Sequence, residues 1–263
     1  MKILIFIPMY NCEKQISRVI SQFDEDTQKL FDEILIVDNI SEDNSLKSAE
    51  ESLKKLNNIK TTLIQNKENV SLGGSHKVAF NYAIENNYDY IIVLHGDDQG
   101  SIKDIVSYIK DKTAFQYDAF LGARFMKGSK TYGYSKFRIF GNYAVNIFIS
   151  IFLRNNISDM GSGLNLFSVD ILQDKFYMPF KNDLTFNVYL LFYFIYKKIN
   201  FKFFPLTWRE DDQISNAKVF KQGVHIIKMT IKYIFNADKL LNKENSDNNL
   251  NYKIVFKNRV KTL

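Results

Sequence analysis

The segment Tyr90-Ile-Ile-Val-Leu-His-Gly-Asp-Asp-Gln-Gly100 decides the fold of this chain and the position of its candidate site. Its first five residues form a continuous apolar run, the pattern of a strand covered on both faces in a parallel sheet. The chain then becomes polar at His95, Asp97, Asp98 and Gln99, between two glycines that allow the backbone to turn. Ligands of open α/β sheets bind outside the carboxyl ends of the strands, so this turn is a candidate binding site.

The chemistry of the turn suits a divalent cation that carries phosphates. His95, Asp97 and Gln99 offer imidazole, carboxylate and amide groups at alternate positions, and substrate phosphates can complete the coordination of one ion. We therefore predict these three residues as ligands of Mg²⁺ or Mn²⁺. Asp-Asp followed by glycine is also ordinary turn composition, so the metal prediction depends on the rest of the chain.

The sequence around this segment alternates strand and helix patterns as far as residue 125. Apolar runs predict strands at 3–7, 33–37, 61–64, 90–94 and 119–123, and helical spacing predicts helices at 16–23, 45–56, 74–85 and 102–111. Ser101 and Asp104 resemble a capping box for the last of these helices. This βαβα order predicts an α/β fold with a doubly wound, mostly parallel sheet and helices on both faces.

The second half of the chain is less regular. Its composition predicts a mobile loop at 126–135, strands at 163–167 and 201–204, a helix at 184–196 and a solvated or disordered segment at 238–251. Two amphipathic stretches stand out, a stripe at 137–153 and a basic helix at 218–235. Each could pack on the core, lie on a membrane surface or form an oligomer interface.

Composition and charge narrow the class of protein. The chain has 263 residues, 46% of them hydrophobic and 24% charged, which is typical of a globular protein. Its single cysteine, Cys12, predicts a reducing, cytoplasmic compartment. No stretch reaches the roughly 18 apolar residues of a membrane span, so we expect at most peripheral association, at the inner face of the cytoplasmic membrane. The net charge of +6 suits phosphate-rich partners or an anionic membrane.

Missing motifs exclude several functions. The turn after the first strand contains no glycine, and no Walker-type loop is present, which argues against hydride-transfer enzymes and P-loop ATPases. No nucleic-acid-binding motif accompanies the basic charge, so we expect no nucleic-acid partner. Gly73 and Gly74 open a predicted helix that also carries Lys77, and its first N–H groups could meet a phosphate.

Polar residues follow three predicted strands and should meet at one edge of the sheet. Tyr10, Asn11 and Glu13 follow the first strand, Asp38 follows the second, and the polar turn follows the fourth. A carboxylate there suits the imide N–H of uracil or the ribose hydroxyls, and Tyr10 could stack on a base. The arrangement predicts a nucleoside-diphosphate pocket.

In sequence, these motifs resemble the inverting GT-A-type nucleotide-sugar glycosyltransferases of family 2, most of all the dolichol- and polyprenyl-phosphate sugar transferases. The resemblance covers about residues 1–220, with motifs in the family's order. Residues 94–99 stand where the family has its metal-binding Asp-x-Asp. The other similar segments are 7–13 (Pro-x-Tyr-Asn-Glu-Glu), 36–44 (Val-Asp-Asp-Gly-Ser-x-Asp), 69–83 (Asn-x-Gly-x-Gly), 122–125 (Gly-Ser-Arg), 158–167 (Asp-x-x-Ser-Gly), and Trp208-Arg209 followed by Ser215-Asn216 (Pro-x-x-x-Arg, then Ser-Lys).

The resemblance implies a GT-A catalytic domain at 1–217, with a nucleotide-sugar half at 1–125 and an acceptor half at 126–217, and an amphipathic helix with a polar tail at 218–263. It implies transfer from a UDP- or GDP-sugar by one displacement with inversion, in which a divalent cation and Arg209 stabilise the leaving diphosphate. Asp97, Asp159 and Arg209 are then the candidate catalytic residues. The candidate substrate-binding residues are Pro8, Tyr10, Asn11, Glu13, Asp38, Asn69, Lys77, Asp98, Arg124, Arg138 and Ser162.

The resemblance leaves open two kinds of acceptor for the sugar, and a third possibility in which the protein has no catalytic activity. A lipid phosphate is already anionic and needs no general base, and Arg124 and Arg138 could hold it. A sugar hydroxyl of a surface polysaccharide needs a base, for which Asp159 is the first candidate and Asp98 the second. The chain departs from the family at His95, which replaces a carboxylate of the metal motif, and after the second strand, where Asn replaces a second carboxylate. These departures also allow a catalytically silent protein that binds nucleotide sugars.

Overall fold

The computed structural model describes residues 1–211, 219–242 and 250–258, with only the backbone of 219–222. Its centre is an eight-stranded sheet with the order β10-β3-β2-β1-β4-β7-β5-β8. Strands β7 and β10 run antiparallel to the other six. The bounds are β1 Ile3–Met9, β2 Glu33–Asp38, β3 Lys60–Asn66, β4 Tyr90–Leu94, β5 Ala119–Ala123, β7 Leu164–Ser168, β8 Phe201–Pro205 and β10 Tyr252–Asn258. The predicted α/β class and mostly parallel sheet are confirmed.

Helices cover both faces of this sheet. One apolar layer lies under α1, α3 and α5, and the other lies under α4, α6, α7 and parts of α8 and α9. The apolar runs of β1 and β2 are buried along their full length because both of their faces meet helices. The bounds are α1 Ile16–Ser21, α2 Glu25–Gln28, α3 Ser45–Leu53, α4 Ser71–Glu85, α5 Lys103–Lys110, α6 Lys136–Leu153, α7 Phe186–Lys197, α8 Val219–Phe235 and α9 Ala237–Leu241.

Two segments expected to be irregular are regular. Within the predicted loop 126–135, strand β6 (Lys130–Tyr132) pairs in parallel with β9 (Thr207–Arg209). Within the segment 238–251, which was predicted to be solvated or disordered, α9 ends at a buried residue, Leu241, while 243–249 lie outside the described residues. Both elements are short and polar, and they form because a distant partner supplies the pairing or the apolar contact.

The capping-box prediction for α5 is wrong. The carboxylate of Asp104 accepts a hydrogen bond of 2.6 Å from the backbone N–H of Thr207. Asp104 therefore fixes the start of β9 and does not close the helix end. Ser101 still accepts from the N–H of Lys103, at 3.3 Å.

The two amphipathic stretches form α6 and α8, which pack against each other. Ile149 and Leu153 of α6 and Ile226 and Met229 of α8 are buried in the same apolar layer. The opposite sides of both helices remain exposed, including much of the predicted apolar stripe. No helix in the described part of the chain has the length and hydropathy needed to cross a bilayer.

Candidate active site

The loops that follow β1 and β2 bond to each other at the carboxyl edge of the sheet. The N–H of Asn11 donates to the hydroxyl of Ser41 at 3.0 Å, and the side-chain oxygen of Asn11 accepts from the N–H of Glu42 at 2.9 Å. The carboxylate of Glu13 accepts from the N–H of Asn44 at 3.2 Å. Asn11 and Glu13, both predicted to bind substrate, thus shape the rim of the pocket through their partners.

The loop after β4 joins the same rim. The N–H of Gly96 donates to the carbonyl of Pro8 at 3.1 Å, and a Cβ at Gly96 would lie 2.9 Å from that oxygen. Glycine is therefore required where these two loops touch. Tyr10, next to this contact, leaves 39% of its surface open to solvent. The structure thus brings the predicted residues of three strand ends onto one edge.

Asp38 is buried under this rim. One of its oxygens accepts from the Ser41 hydroxyl at 2.6 Å, and the other accepts from the amide of Gln65 at 2.8 Å. A nucleotide base that binds at Asp38 must therefore also contact Gln65 or Ser41, which already bond to the two carboxylate oxygens. Because Gln65 donates its amide to Asp38, its own side-chain oxygen is left as an acceptor.

Asn39 ties the ends of β2 and β3 together. Its amide donates to Asn69 at 2.8 Å, and its oxygen accepts from Asn66 and from the N–H of Val70, both at 3.0 Å. Asparagine can both donate and accept, which a carboxylate cannot. Asn39, which stands where the family has a carboxylate, therefore has a structural role here: it holds the two loops together, and Asn69 is one of its partners.

The polar turn after β4 separates the roles of its two carboxylates. Burial raises the pKa of Asp97 to about 6. The hydrogen bond from the backbone N–H of Gln99 has the opposite effect, but it is smaller. Asp98 has a φ of 58° and lies against α1, where it accepts from Arg18 at 2.7 Å and from Gln22 at 3.2 Å. A guanidinium nitrogen of Arg209 lies 3.5 Å from the Oδ1 atom of Asp98. Asp98 thus holds two arginines beside the turn.

His95 is directed toward the interior. Its ring lies 6.3 Å from the ring of the buried His76, between centroids, and packs against Gly163, where a Cβ would lie 2.7 Å from it. Burial, with a smaller effect of Arg124, lowers the pKa of His95 to about 4. Its Nε2 atom is buried without a hydrogen-bond partner. His95, predicted as a metal ligand with Asp97 and Gln99, thus lies against the interior of the protein, and its role as a ligand stays a prediction.

Arg124 and Asp159 form a buried pair. Two guanidinium nitrogens of Arg124 donate to the two oxygens of Asp159, both at 2.8 Å, and its backbone N–H donates to the same carboxylate at 2.9 Å. Burial would lower the pKa of Arg124, but the Asp159 carboxylate outweighs it and raises that pKa. Both oxygens of Asp159 are therefore occupied by Arg124.

Glu210 and Arg209, adjacent in sequence, connect two further arginine contacts of the site. Arg138 donates to Glu210 at 2.5 Å and stacks over Tyr134, 4.4 Å from the ring centre, while its Nε atom is buried without a partner. The backbone N–H of Arg209 donates to the backbone carbonyl of Gln99 at 2.9 Å. The side chain of Arg209 is 41% exposed, so it is open to a ligand.

Two predicted binding residues do not face the site. The ammonium of Lys77 is buried and donates to the carbonyls of Met178 and Phe180 at 2.8 and 2.6 Å. The hydroxyl of Ser162 is buried against the carbonyl of Leu164 at 3.2 Å. The phosphate prediction at the start of α4 is also wrong, because the N–H of Gly73 already bonds to the carbonyl of Asn182 at 2.6 Å.

A family model described as "Glycosyl transferase family 2" matches residues 4–176 of the chain. The chain belongs to glycosyl transferase family 2. The resemblance in its motifs is thereby confirmed at the level of the family, as is the prediction of a glycosyltransferase. An uncharacterised protein of Methanocaldococcus jannaschii is 34% identical over 122 residues, 46% of this chain and 51% of that protein, so the chain spans about half the length of this relative.

Solved structures share the fold of this family 2 chain. The M. tuberculosis glucosyl-3-phosphoglycerate synthase superposes with a TM-score of 0.61 at 13% identity, over 93% of this chain and 82% of the synthase. S. aureus TarS 1-349 in complex with UDP superposes with a TM-score of 0.56 at 16% identity, over 92% of this chain and 70% of TarS. The GT-A architecture is therefore confirmed.

The donor set of this family 2 site fits a cation that arrives with phosphates. Within the described ranges, no three His, Cys, Asp or Glu residues cluster as a closed metal site. Asp97 is a carboxylate with a raised pKa that accepts from the backbone N–H of Gln99 at 3.2 Å, and Asp98 pairs with two arginines. Mg²⁺ commonly binds through one or two carboxylates plus substrate phosphates, so Asp97 and Gln99 suit such an ion.

Several residues of the site were not predicted from the sequence. Arg18 and Gln22 reach Asp98 from α1, and Gln65 and Ser41 reach Asp38. Arg18 and Gln22 lie on one side of a predicted helix next to the first strand end, which is the signal that could have suggested them. Ser215-Asn216 and the 217/218 boundary lie outside the described residues, and the division into domains stays a prediction.

Proposed function

We propose that this chain is an inverting glycosyltransferase that moves a sugar from a nucleoside-diphosphate sugar to a lipid phosphate, assisted by a divalent cation. The observation that carries the proposal is the joined rim of three loops, which sets the Asp97 turn beside the exposed Arg209. Two groups suited to a diphosphate, a carboxylate for its cation and a guanidinium for its charge, then lie at the carboxyl edge of the sheet.

The similar structures support a UDP-sugar as donor. The M. tuberculosis synthase has been crystallised with Mn2+, UDP and glucosyl-3-phosphoglycerate, and S. aureus TarS with UDP-GlcNAc. In this chain Tyr10 would stack on the base, and Asp38 with Gln65 would meet its polar edge. A divalent cation, when bound, would neutralise charge on the leaving diphosphate. Asp97 and Gln99 would hold it, and Arg209, positioned by Asp98, would bind the diphosphate oxygens.

The state of the two candidate bases favours an acceptor that is already ionised. Asp159 is held by Arg124 through two hydrogen bonds, and Asp98 is held by Arg18 and lies against Arg209. Because arginine N–H groups already occupy both carboxylates, a sugar hydroxyl would have to displace an arginine to reach either of them. A phosphate acceptor needs no general base. Arg138 would meet that phosphate, which would displace Glu210 from it.

A transfer assay tests this function. The full chain would be incubated with Mn²⁺ and a panel of UDP- and GDP-sugars, with a polyprenyl phosphate or the matching polyprenol as acceptor. We expect product only with the phosphate, and at least about a tenfold loss of it in Arg138→Ala, since charge-assisted bonds to phosphate are strong. Lys55→Ala, an exposed lysine on the other side of the sheet, is the control. Equal product from the polyprenol would contradict the lipid-phosphate proposal.

A further inference from the structure

Helices α6 and α8 carry an apolar surface that no other described part of the chain covers. On α6, Phe137 is 82% exposed and Phe140 is 72% exposed, and on α8 Phe235 is 84% exposed. Exposed apolar patches of this kind mark interaction surfaces. We call it the α6–α8 face. It consists of Phe137, Phe140, Tyr143, Ile147, Ile151, Phe152, Val224, Ile231, Ile234 and Phe235.

The two helices present this face on the same side of the molecule. Phe137, Phe140, Ile147 and Ile151 recur at helical spacing, so they line one side of α6. The buried sides of α6 and α8 enter the same apolar layer, and the two helices contact each other. Their exposed sides therefore both point away from that layer and lie next to each other.

The charges around the α6–α8 face are positive. Neither α6 nor α8 contains an aspartate or glutamate. Lys136 begins α6, Arg154 follows its last residue, and Lys228 and Lys232 are exposed on α8. Three described carboxylates lie close in sequence to the two helices: Glu210 pairs with Arg138 of α6, Asp238 accepts from the hydroxyl of Tyr196 at 2.7 Å, and Asp211 is exposed next to Glu210.

We propose that the α6–α8 face docks on the surface of an anionic lipid bilayer. Apolar side chains would enter the boundary between headgroups and acyl chains, and the lysines would meet anionic headgroups. A second copy of the chain fits this face less well. In a two-fold dimer the same patch meets itself, so the exposed lysines of α8 in the two copies would come close together, and neither α6 nor α8 carries a carboxylate to pair with them.

Docking in this way would place the acceptor side of the candidate site close to the membrane. Arg138 lies in the first turn of α6, between the exposed Phe137 and Phe140, and bonds to Glu210. Glu210 follows Arg209, which lies beside the Asp98 carboxylate. The inference goes beyond the proposed transfer, because a docked face does not require that the acceptor be a lipid.

Sedimentation with vesicles tests the docking, using the full chain without nucleotide. Vesicles of phosphatidylcholine alone would be compared with vesicles that also contain phosphatidylglycerol. We expect binding to the anionic vesicles only, and at least about a tenfold weaker binding in Phe137→Ser/Phe140→Ser, because that variant removes the apolar area that enters the lipid. Ile254→Ser is the matched control, since Ile254 is 57% exposed on the distant strand β10.

The charged rim has its own test. Lys228→Glu/Lys232→Glu should abolish the preference for anionic vesicles, and Lys55→Glu should keep it. Equal binding of the wild type and Phe137→Ser/Phe140→Ser would overturn the proposal. So would the absence of vesicle binding together with a dimer that Phe137→Ser/Phe140→Ser converts to monomer, which would assign the face to a second copy. UDP binding should be unchanged in all these variants, so a failure of docking is separable from a failure of the proposed transfer.

Discussion

Asp98 supports other residues of this site through its hydrogen bonds and ion pairs. It bonds to Arg18 and Gln22 on α1 and lies 3.5 Å from Arg209. Its own carboxylate is thereby occupied, while the Arg209 side chain stays 41% exposed. We therefore propose that Asp98 is a positioning residue, which would act on the diphosphate through Arg209.

The variant Asp98→Asn should separate these roles. It keeps the shape of the side chain but removes the charge that attracts Arg209, so we expect kcat to fall about tenfold, with a smaller change in the KM for the donor. Steady-state kinetics of transfer would measure both constants. Asp26→Asn, which touches only the exposed Lys29, is the control and should change neither. An unchanged kcat in Asp98→Asn would contradict the positioning role.

At the level of single residues, the sequence locates the site but not its partners. Asp38, Asp97 and Arg209 could be placed because each follows or ends a strand. The pair of Asp98 and Arg18 could not, because its members are 80 residues apart. Lys77 was misplaced for the same reason: the segment that accepts its hydrogen bonds lies about 100 residues further along the chain.

Strand β5 depends on a glycine that leaves no room for a side chain. A Cβ at Gly122 would lie 2.4 Å from the carbonyl oxygen of Leu164 on β7 and 2.4 Å from Leu206. We expect Gly122→Ala to lower the free energy of unfolding by about 2 kcal/mol, as overpacking does. Gly141→Ala on α6 is the matched control. No atom of the described residues lies within 4 Å of that Cβ, so Gly141→Ala should raise stability by roughly 0.5–1 kcal/mol.

Urea unfolding of the two alanine variants would measure this contrast. Equal stability of Gly122→Ala and the wild type would show that β5 and β7 can separate at no cost. That result would contradict the close approach of the two strands.

A buried carboxylate joins β2, β3 and α4 at the opposite edge of the sheet. Glu33 is fully buried and accepts hydrogen bonds from Lys60, Thr62, Tyr82 and Tyr88. Burial alone would raise the pKa of Glu33, but these hydrogen bonds outweigh it, so the pKa is lowered. Glu33 therefore stabilises the fold fully above its unfolded pKa of about 4.3, and loses this contribution as the pH falls through its folded pKa.

The network predicts how stability depends on pH. Glu33→Gln should cost about 2 kcal/mol at pH 7, and the difference from the wild type should shrink as the pH falls below the unfolded pKa. Urea unfolding across that pH range would show it, with the exposed Glu51→Gln as control. A difference that stays constant with pH would show that the charge of Glu33 contributes nothing.

At the level of elements, burial on both faces made the inner strands of the main sheet predictable. Strands β1, β2, β4 and β5 are short apolar runs that no helix pattern fits. Strands β6, β9 and β10 were missed, because their residues mix polar and apolar side chains and their pairing comes from distant segments. The amphipathic period predicted α6 and α8, but it could not decide that much of the apolar stripe stays exposed.

The whole molecule combines a hydrogen-bonded rim at the carboxyl edge of the sheet with an exposed apolar face on α6 and α8. The loops after β1, β2 and β4 are hydrogen-bonded to one another before any ligand arrives. Binding of a nucleotide therefore needs little ordering of the rim, which favours affinity. The α/β order of the sequence was enough to predict this edge, whereas the contacts that hold it could only be seen in the structure.

Calorimetric titration of the full chain with UDP, with and without Mn²⁺, beside the variant Asp97→Ala, would show directly whether this edge of the sheet binds a nucleotide sugar. We predict binding that weakens at least about tenfold when Mn²⁺ is omitted or Asp97 is replaced, since Asp97 is the carboxylate proposed to hold the cation. GDP in the same titration identifies the base. UDP and GDP that both fail to bind with Mn²⁺ present would contradict the assignment of this edge as a nucleotide-sugar site.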